Sequence, residues 1–225
     1  MSNNISNLEK FKNYLKIVLT SIAIAASAII QSEYTLLPNK KNISIILTTL
    51  LLLLFVEILL GVFSLLISRY SKLRMIILGS EYIEGIWFDR ADDHFAIITI
   101  AYNKGNYSVL GEVFGKKGQF LGNWNSEFSY FDKGIFKYFY KSNYGKRVEN
   151  NMGFSEYTFS NPKNERIPNQ FSGYYIDIKK NSSKTRIFGE KLTKEITEKL
   201  NSLENKSNWI KKEHKLLAIT HINGE

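Results

Sequence analysis

The chain has 225 residues and a formal net charge of +9, with three histidines and no cysteine. This length allows one membrane unit plus one compact domain of ordinary size. The missing cysteines exclude a disulfide framework and a thiol nucleophile, and the three histidines lack the spacing of a metal site. The basic surplus suits anionic lipid headgroups or an anionic ligand, and equally a solvated surface.

The first apolar stretch runs from Ile17 to Ile30 and is preceded by three lysines. Extended to Tyr14 and Glu33 it has about 20 residues, which is sufficient for a membrane-spanning helix. Its basic flank and small residues are also typical of a cleaved signal peptide, an alternative that the sequence leaves open. We expect a helical hairpin that turns at residues 38–42.

The second apolar run, Ile43–Ile67, carries one carboxylate, Glu57, near its middle. As a helix it reaches about 37 Å, which exceeds the ~30 Å hydrocarbon core of a bilayer. An acidic residue at this depth costs ~2.5 to 3.5 kcal/mol unless it is neutral or has a partner. Glu57 is therefore expected either to hold the two helices of one chain together or to line or trigger an oligomeric membrane lesion.

The orientation of the hairpin follows from its flanking charges. The outer flanks carry six basic residues and the turn only two; the flanking residues are Lys10, Lys12, Lys16, Arg69, Lys72 and Arg74. Because positive charge is retained on the cytoplasmic side, both termini and the following domain are predicted to face the cytoplasm.

From Glu81 to Leu192 the sequence shows eight runs of mostly alternating character, separated by turns rich in Gly and Asn. The runs are 81–90, 94–103, 106–114, 118–124, 135–142, 153–160, 170–180 and 184–191. Eight short antiparallel strands predict an all-β meander closed into a small barrel.

A single C-terminal helix is predicted over 193–206, with Thr193 as its N-cap, laid against the barrel and followed by a tail. The expected division is a two-helix transmembrane region at 1–76, a cytoplasmic barrel at 77–192, and a helix with a tail at 193–225.

Period-two alternation sorts the strand residues into two faces. With Trp87 taken as inward, the interior would include Ile98, Ile100, Tyr102, Tyr107, Val109, Val113, Phe136, Tyr138, Tyr140, Tyr157, Phe159, Tyr174, Ile176 and Ile187. Such a tyrosine-rich lining fits a planar, polar ligand such as a nucleobase, because tyrosine offers a flat face and a hydroxyl. An ordinary aromatic core has the same pattern.

Candidate ligand-binding residues follow from this assignment. The aromatic candidates are Trp87, Tyr102, Tyr107, Tyr138, Tyr157 and Tyr174. Cations at strand ends or turns could meet a phosphate at the barrel mouth: these are Arg90, Lys104, Arg147, Lys184 and Arg186, with Arg90 and Arg186 chosen as candidates.

Motifs of catalysis are absent from the sequence. It contains no Gly-rich phosphate loop, no GxSxG elbow and no spaced cluster of His and carboxylates. The run Asp92-Asp93-His94 is best explained as the polar residues of a β-hairpin turn. The balanced charge of the C-terminal helix does not support binding to DNA or RNA. No enzymatic activity, cofactor or metal is therefore predicted.

Three glycine motifs mark the barrel. Gly85-x-Trp87 resembles the opening of lipocalin-like barrels, and Phe171-x-Gly173 and Phe188-Gly189 lie where strands of a small barrel must bend. Together with the two N-terminal spans, this architecture resembles the two-transmembrane, β-strand-rich effectors of CBASS anti-phage defence, which accompany a cyclic-nucleotide synthase. The resemblance covers roughly Tyr14 to Leu192.

This resemblance implies a function. A cyclic di- or oligonucleotide would bind in the barrel, subunits would assemble into a homo-oligomer, and the helices would breach the inner membrane, causing abortive infection. Two alternatives stay open: a membrane-tethered, lipocalin-like carrier or sensor of a small apolar ligand, and a structural anchor whose solid barrel docks a partner protein.

Overall fold

The computed structural model describes residues 7–33, 41–103, 106–144, 149–162, 166–178 and 183–222. The chain divides into two compact units, Met1–Gly79 and Ser80–Glu225. The predicted fold class is confirmed, because two apolar N-terminal helices precede a closed, eight-stranded antiparallel barrel and a C-terminal helical segment.

The N-terminal unit contains helices α1 (Asn7–Glu33), α2 (Lys41–Arg69) and α3 (Ser71–Leu78). Two windows, Glu9–Ile30 and Ile46–Arg69, are long and apolar enough to cross a membrane, and only 11% of each is buried. Helices with so much exposed apolar surface favour a lipid environment over the core of a soluble protein. The predicted turn at 38–42 lies partly outside the described residues.

An ion pair joins the two long helices. Lys16 Nζ of α1 lies 2.9 Å from Glu57 Oε1 of α2, and the Phe11 and Phe63 rings pack with their centroids 5.4 Å apart. Glu57 therefore has a partner within its own chain. Just beyond α2, the Arg74 guanidinium donates to the carbonyls of Ile67 and Ser68 and satisfies the open end of that helix.

The second unit is built on a barrel in which each strand pairs antiparallel with the next and the last closes on the first. The strands are β1 (Gly85–Ala91), β2 (His94–Asn103), β3 (Asn106–Gly115), β4 (Phe120–Asp132), β5 (Ile135–Tyr144), β6 (Glu149–Ser160), β7 (Gln170–Asp177) and β8 (Lys184–Lys191). Strand β4 is longer than the predicted 118–124. The prediction ended it too early because a register shift between Ser126 and Phe128 interrupts its alternation.

The C-terminal segment forms two helices, α4 (Lys194–Lys199) and α5 (Leu203–Ile222), where the sequence predicted one over 193–206. The N-cap at Thr193 is confirmed, since its side chain accepts from the Ile196 backbone N–H. These helices cover the outer face of β1–β3 and build a second core there. Its buried members are Phe88, Phe95, Ile97, Phe114, Leu200 and Ile210.

One end of the barrel interior is solid. The Trp87 ring packs against Phe159 and Phe171, with ring centroids 4.9 and 5.7 Å away, and its Nε1–H donates to the Ile83 carbonyl at 3.0 Å. At the same end the Tyr107 hydroxyl donates to the Glu81 carbonyl at 2.7 Å. Aromatic side chains thus fill the interior around the start of β1.

Candidate functional site: a cavity within the barrel

The other half of the barrel interior is hollow. It holds a cavity of about 260 Å³ whose lining combines aromatic, acidic and small apolar side chains. The apolar contribution comes from Ala96, Val113 and Leu121. The cavity reaches the barrel end at the β1–β2 turn, where the side chain of Asp93 is 80% exposed.

Five aromatic side chains line the wall: Trp124, Tyr138, Tyr140, Tyr157 and Tyr175. The rings of Trp124 and Tyr138 stack with centroids 5.3 Å apart and an interplanar angle of 10°. The Tyr138 hydroxyl donates to the Tyr157 hydroxyl at 2.5 Å. Burial raises the pKa of Tyr157 well above its ordinary value, so the Tyr157 hydroxyl stays neutral at physiological pH.

Two glycines determine where the wall aromatics lie. Gly111 pairs across the ladder with Trp124, and Gly153 pairs with Tyr140. An ideal Cβ on either glycine would overlap the ring of its partner, so each ring lies over its glycine against the wall. The rings therefore leave the middle of the barrel open at this end.

Three carboxylates face the cavity. Asp89 of β1 is 5% exposed, and its Oδ1 has no hydrogen-bond partner among the described residues. Burial raises the pKa of Asp89 to about 8, and a backbone hydrogen bond from Arg90 and the charge of its guanidinium only partly oppose this.

The other two carboxylates have partners. Asp177 Oδ1 accepts from the Tyr140 hydroxyl at 2.5 Å, and Asp93 Oδ1 lies 2.6 Å from His94 Nδ1. The His94 ring also packs edge-on against Tyr175, with centroids 5.8 Å apart. None of the described lining residues is a lysine or an arginine, so the interior favours ligand groups that donate hydrogen bonds or carry positive charge.

Basic side chains also lie on the rim at this end. Lys116 and Lys117 form the exposed β3–β4 turn, and Lys184 is the exposed first residue of β8. Lys146, Arg147, Lys179 and Lys180 lie outside the described residues. The described basic rim consists of Lys116, Lys117 and Lys184, and it lies at the same barrel end as the exposed Asp92 and Asp93.

The structure separates the predicted ligand residues into three groups. Tyr138 and Tyr157 line the cavity. Trp87 and Tyr107 are buried at the solid end, where Tyr102 packs against Tyr107 with ring centroids 5.3 Å apart. These last three therefore face the interior but lie away from the cavity.

Tyr174, Arg90 and Arg186 lie on the outer face of the barrel, so the prediction that Tyr174 and Ile176 face inward was wrong. Tyr174 is paired across the ladder with Arg186, and Lys184 Nζ lies 4.4 Å from the centroid of its ring. Adjacent residues of a strand face opposite sides, and two neighbouring tyrosines cannot be distinguished by residue type. The inward one is Tyr175.

The predicted cations of the mouth are placed differently from the expectation. Arg90 bonds to Glu190 at 3.3 Å and lies over the Phe88 ring on the outer face, and Arg186 is exposed. Lys104 and Arg147 lie outside the described residues. Of the five cations only Lys184 is described at the rim.

Sequence reasoning missed Asp89, Trp124, Tyr175 and Asp177. The inward facing of Asp89 could have been predicted from the sequence, because it lies two residues after the inward Trp87 and therefore shares its face. Asp93 and His94 were explained as hairpin residues, and they also line the cavity.

No protein-family model, curated protein or solved structure matches this chain. Among the described residues, no group of three or more His, Cys, Asp and Glu side chains could hold a metal ion. The cavity, its basic rim and the two apolar helices are the features that bear on function.

Proposed function

We propose that this chain is a membrane effector of anti-phage defence, activated by a cyclic di- or oligonucleotide. It is a multi-pass protein of the bacterial inner membrane with both termini in the cytoplasm. Nucleotide binding in the barrel promotes oligomerisation, and the helices then disrupt the membrane and cause abortive infection. The supporting observation is the presence, in one chain, of two apolar helices and a barrel whose aromatic cavity opens beside a basic rim.

The two zones of charge match the two parts of a nucleotide. Trp124, Tyr138 and Tyr140 provide flat faces for a base, and stacking of this kind contributes about 1–3 kcal/mol per base. The acidic interior repels phosphate, whereas the lysines of the rim attract it. We therefore infer that the base would lie inside the barrel and the phosphates at its mouth.

The same rim leads to a route for activation. The β3–β4 turn that carries Lys116 and Lys117 contacts α5, because the Ser207 hydroxyl donates to the Gly118 carbonyl at 2.5 Å. A phosphate held at this turn would shift α5 and alter the surface available to a second subunit. Such a ligand promotes assembly if it prefers the assembly-competent state by about 1–3 kcal/mol.

The lining disfavours the alternative of a lipocalin-like carrier. A pocket for an apolar ligand is lined mainly by apolar groups, whereas this one exposes Asp89, Asp93 and Asp177 to its interior. The cavity also disfavours a solid barrel that serves only as an anchor.

The proposal is tested with the full chain in lipid nanodiscs. Isothermal titration calorimetry against a panel of cyclic di- and trinucleotides should show saturable binding of at least one member. Binding should disappear in Tyr138→Ala and persist in Tyr130→Ala, a matched change of an exposed tyrosine on β4. In cells, the chain should be harmless alone and lethal when the cognate nucleotide is supplied. Failure of every nucleotide to bind would overturn the proposal.

A further inference from the structure

Asp89 stands out among the buried polar groups of the barrel. Its side chain faces the cavity beside aromatic walls, and Oδ1 receives no hydrogen bond from any described residue. A buried carboxylate oxygen without a partner is unfavourable, and native proteins usually satisfy such atoms. Asp89 lines the cavity but Oδ1 itself has almost no accessible surface, so its carboxyl group must rotate slightly to accept a donor from a bound molecule.

We propose that Asp89 is the ligand-recognition residue of this cavity and that its carboxylate accepts hydrogen bonds from a planar group bearing adjacent N–H donors. Amidines, guanidines and the N1–H and N2–H edge of guanine have this arrangement. Two parallel N–H donors match the two oxygens of a carboxylate, and the resulting bonds are stronger than neutral ones.

The remaining lining supports the same class of ligand. Asp177 and Asp93 add negative charge, and no described lining residue carries a permanent positive charge. An anionic group beside Asp89 would be repelled by Asp177 and, at the barrel end, by Asp93, whereas a cationic or N–H-rich group would be attracted by them. The stacked rings of Trp124 and Tyr138 suit a flat molecule.

This inference deepens the proposed function, because it selects guanine as the base that a cyclic nucleotide places in the barrel. It can be tested without a nucleotide. Benzamidine is flat and presents two N–H donors in its plane, and benzoate has nearly the same shape with an anionic carboxylate in place of the amidinium.

The test uses the full chain in nanodiscs at pH 9, above the pKa of about 8 of Asp89. Calorimetry, with empty nanodiscs subtracted, should show saturable binding of benzamidine and none of benzoate. Asp89→Asn should weaken benzamidine binding about tenfold or more, since a charge-assisted bidentate contact is lost. The matched control is Glu190→Gln, which removes a carboxylate from the outer face and should leave binding unchanged.

Three results would overturn the inference: no binding of benzamidine by the unchanged chain, equal binding of benzoate, or equal benzamidine affinity in Asp89→Asn. The melting temperature of each variant confirms that it is folded. A second arm compares cyclic di-GMP with its inosine analogue, which lacks the 2-amino group. Benzamidine binding without nucleotide binding would support the role of Asp89 and refute the proposed function. Nucleotide binding that depends neither on Asp89 nor on the 2-amino group would support the proposed function and refute the role of Asp89.

Discussion

Gly111 on β3 lies directly opposite Trp124 on β4, and the Trp124 ring occupies the space that a Cβ on residue 111 would need. In Gly111→Ala the ring must leave the wall and move into the cavity. Overpacking of this kind typically costs about 1–3 kcal/mol. We expect a lower melting temperature, a changed tryptophan emission spectrum and weaker binding of any cavity ligand.

The control for this substitution is Gly61→Ala in α2, where a Cβ would meet nothing within 4 Å. Alanine favours a helix more than glycine does, so this variant should retain the stability of the parent. A Gly111→Ala protein with unchanged stability and emission would show that the ring does not depend on the glycine.

The neighbours Tyr174 and Tyr175 give a matched pair of substitutions on opposite faces of β7. Tyr175 lines the cavity beside His94, whereas Tyr174 packs outside against Phe154 with ring centroids 6.3 Å apart. Tyr175→Ala should abolish or strongly weaken ligand binding, measured by calorimetry, and Tyr174→Ala should not. Loss of binding in both variants, with both folded, would contradict the observed facing of the strand.

The facing of β7 shows what alternation in the sequence could not determine. One parity places Tyr174 and Ile176 inside, and the other places Tyr175 and Asp177 inside. Hydrophobicity favours the first, yet Asp177 is inward, where its Oδ1 accepts a hydrogen bond from the Tyr140 hydroxyl. Apolar side chains usually face the interior of a barrel, but a polar cavity reverses this preference. The facing of a strand is therefore predicted least reliably from hydrophobicity at a binding site.

The number and order of the strands were predictable because turns of Gly and Asn separate the alternating runs. The two apolar spans followed from length alone. The division of the interior into a solid and a hollow half was not predictable, since it depends on cross-strand pairs such as Gly153 with Tyr140. Such pairs become visible only when the register is known.

The ion pair between Lys16 and Glu57 predicts that the effects of substituting these two residues are not additive. Replacing Lys16 by Met leaves a carboxylate without its partner in an apolar span, which costs about 2.5–3.5 kcal/mol on insertion scales. Lys16→Met should therefore reduce the amount of membrane-inserted protein, whereas Glu57→Leu removes the carboxylate and should not. The double variant should recover much of it, as measured by membrane fractionation and quantitative blotting.

Additive losses in the double variant would show that the two charges act independently. If the ion pair only holds the helices of one chain together, the double variant should also retain membrane activity in cells. A fully inserted double variant without activity would instead favour the hypothesis that Glu57 takes part in an oligomeric lesion.

The helices outside the barrel should contribute measurably to its stability. Trp209 of α5 packs edge-on against Phe88 with ring centroids 4.8 Å apart, at the margin of the second core. Trp209→Ala should lower the free energy of unfolding by about 3 kcal/mol, measured by urea titration. Ile76→Ala, which changes an exposed residue of the other unit, should leave the unfolding of the barrel unchanged.

The raised pKa of Asp89 predicts a stability that falls as pH rises. The pKa is about 8 in the folded chain, and its ordinary value is 3.8. Between these values the unfolded state has lost the proton that the folded state keeps, so stability decreases by up to about 1.4 kcal/mol per pH unit and levels off above pH 8. Thermal unfolding from pH 5 to 9 should show this trend.

Asparagine cannot ionise, so Asp89→Asn should remove this component and exceed the parent in stability most at high pH. The difference in stability between the two proteins reports on Asp89 alone, because the other charged or ionisable groups at the site are the same in both. These groups are Arg90, Tyr157, Tyr175, Asp93, Asp177 and His94. A ligand with N–H donors reverses the trend, because it binds the ionised carboxylate and lowers its pKa. Benzamidine should therefore stabilise the parent more at pH 9 than at pH 6, and a pH-independent difference between parent and variant would show that Asp89 is ionised in the folded chain throughout this range.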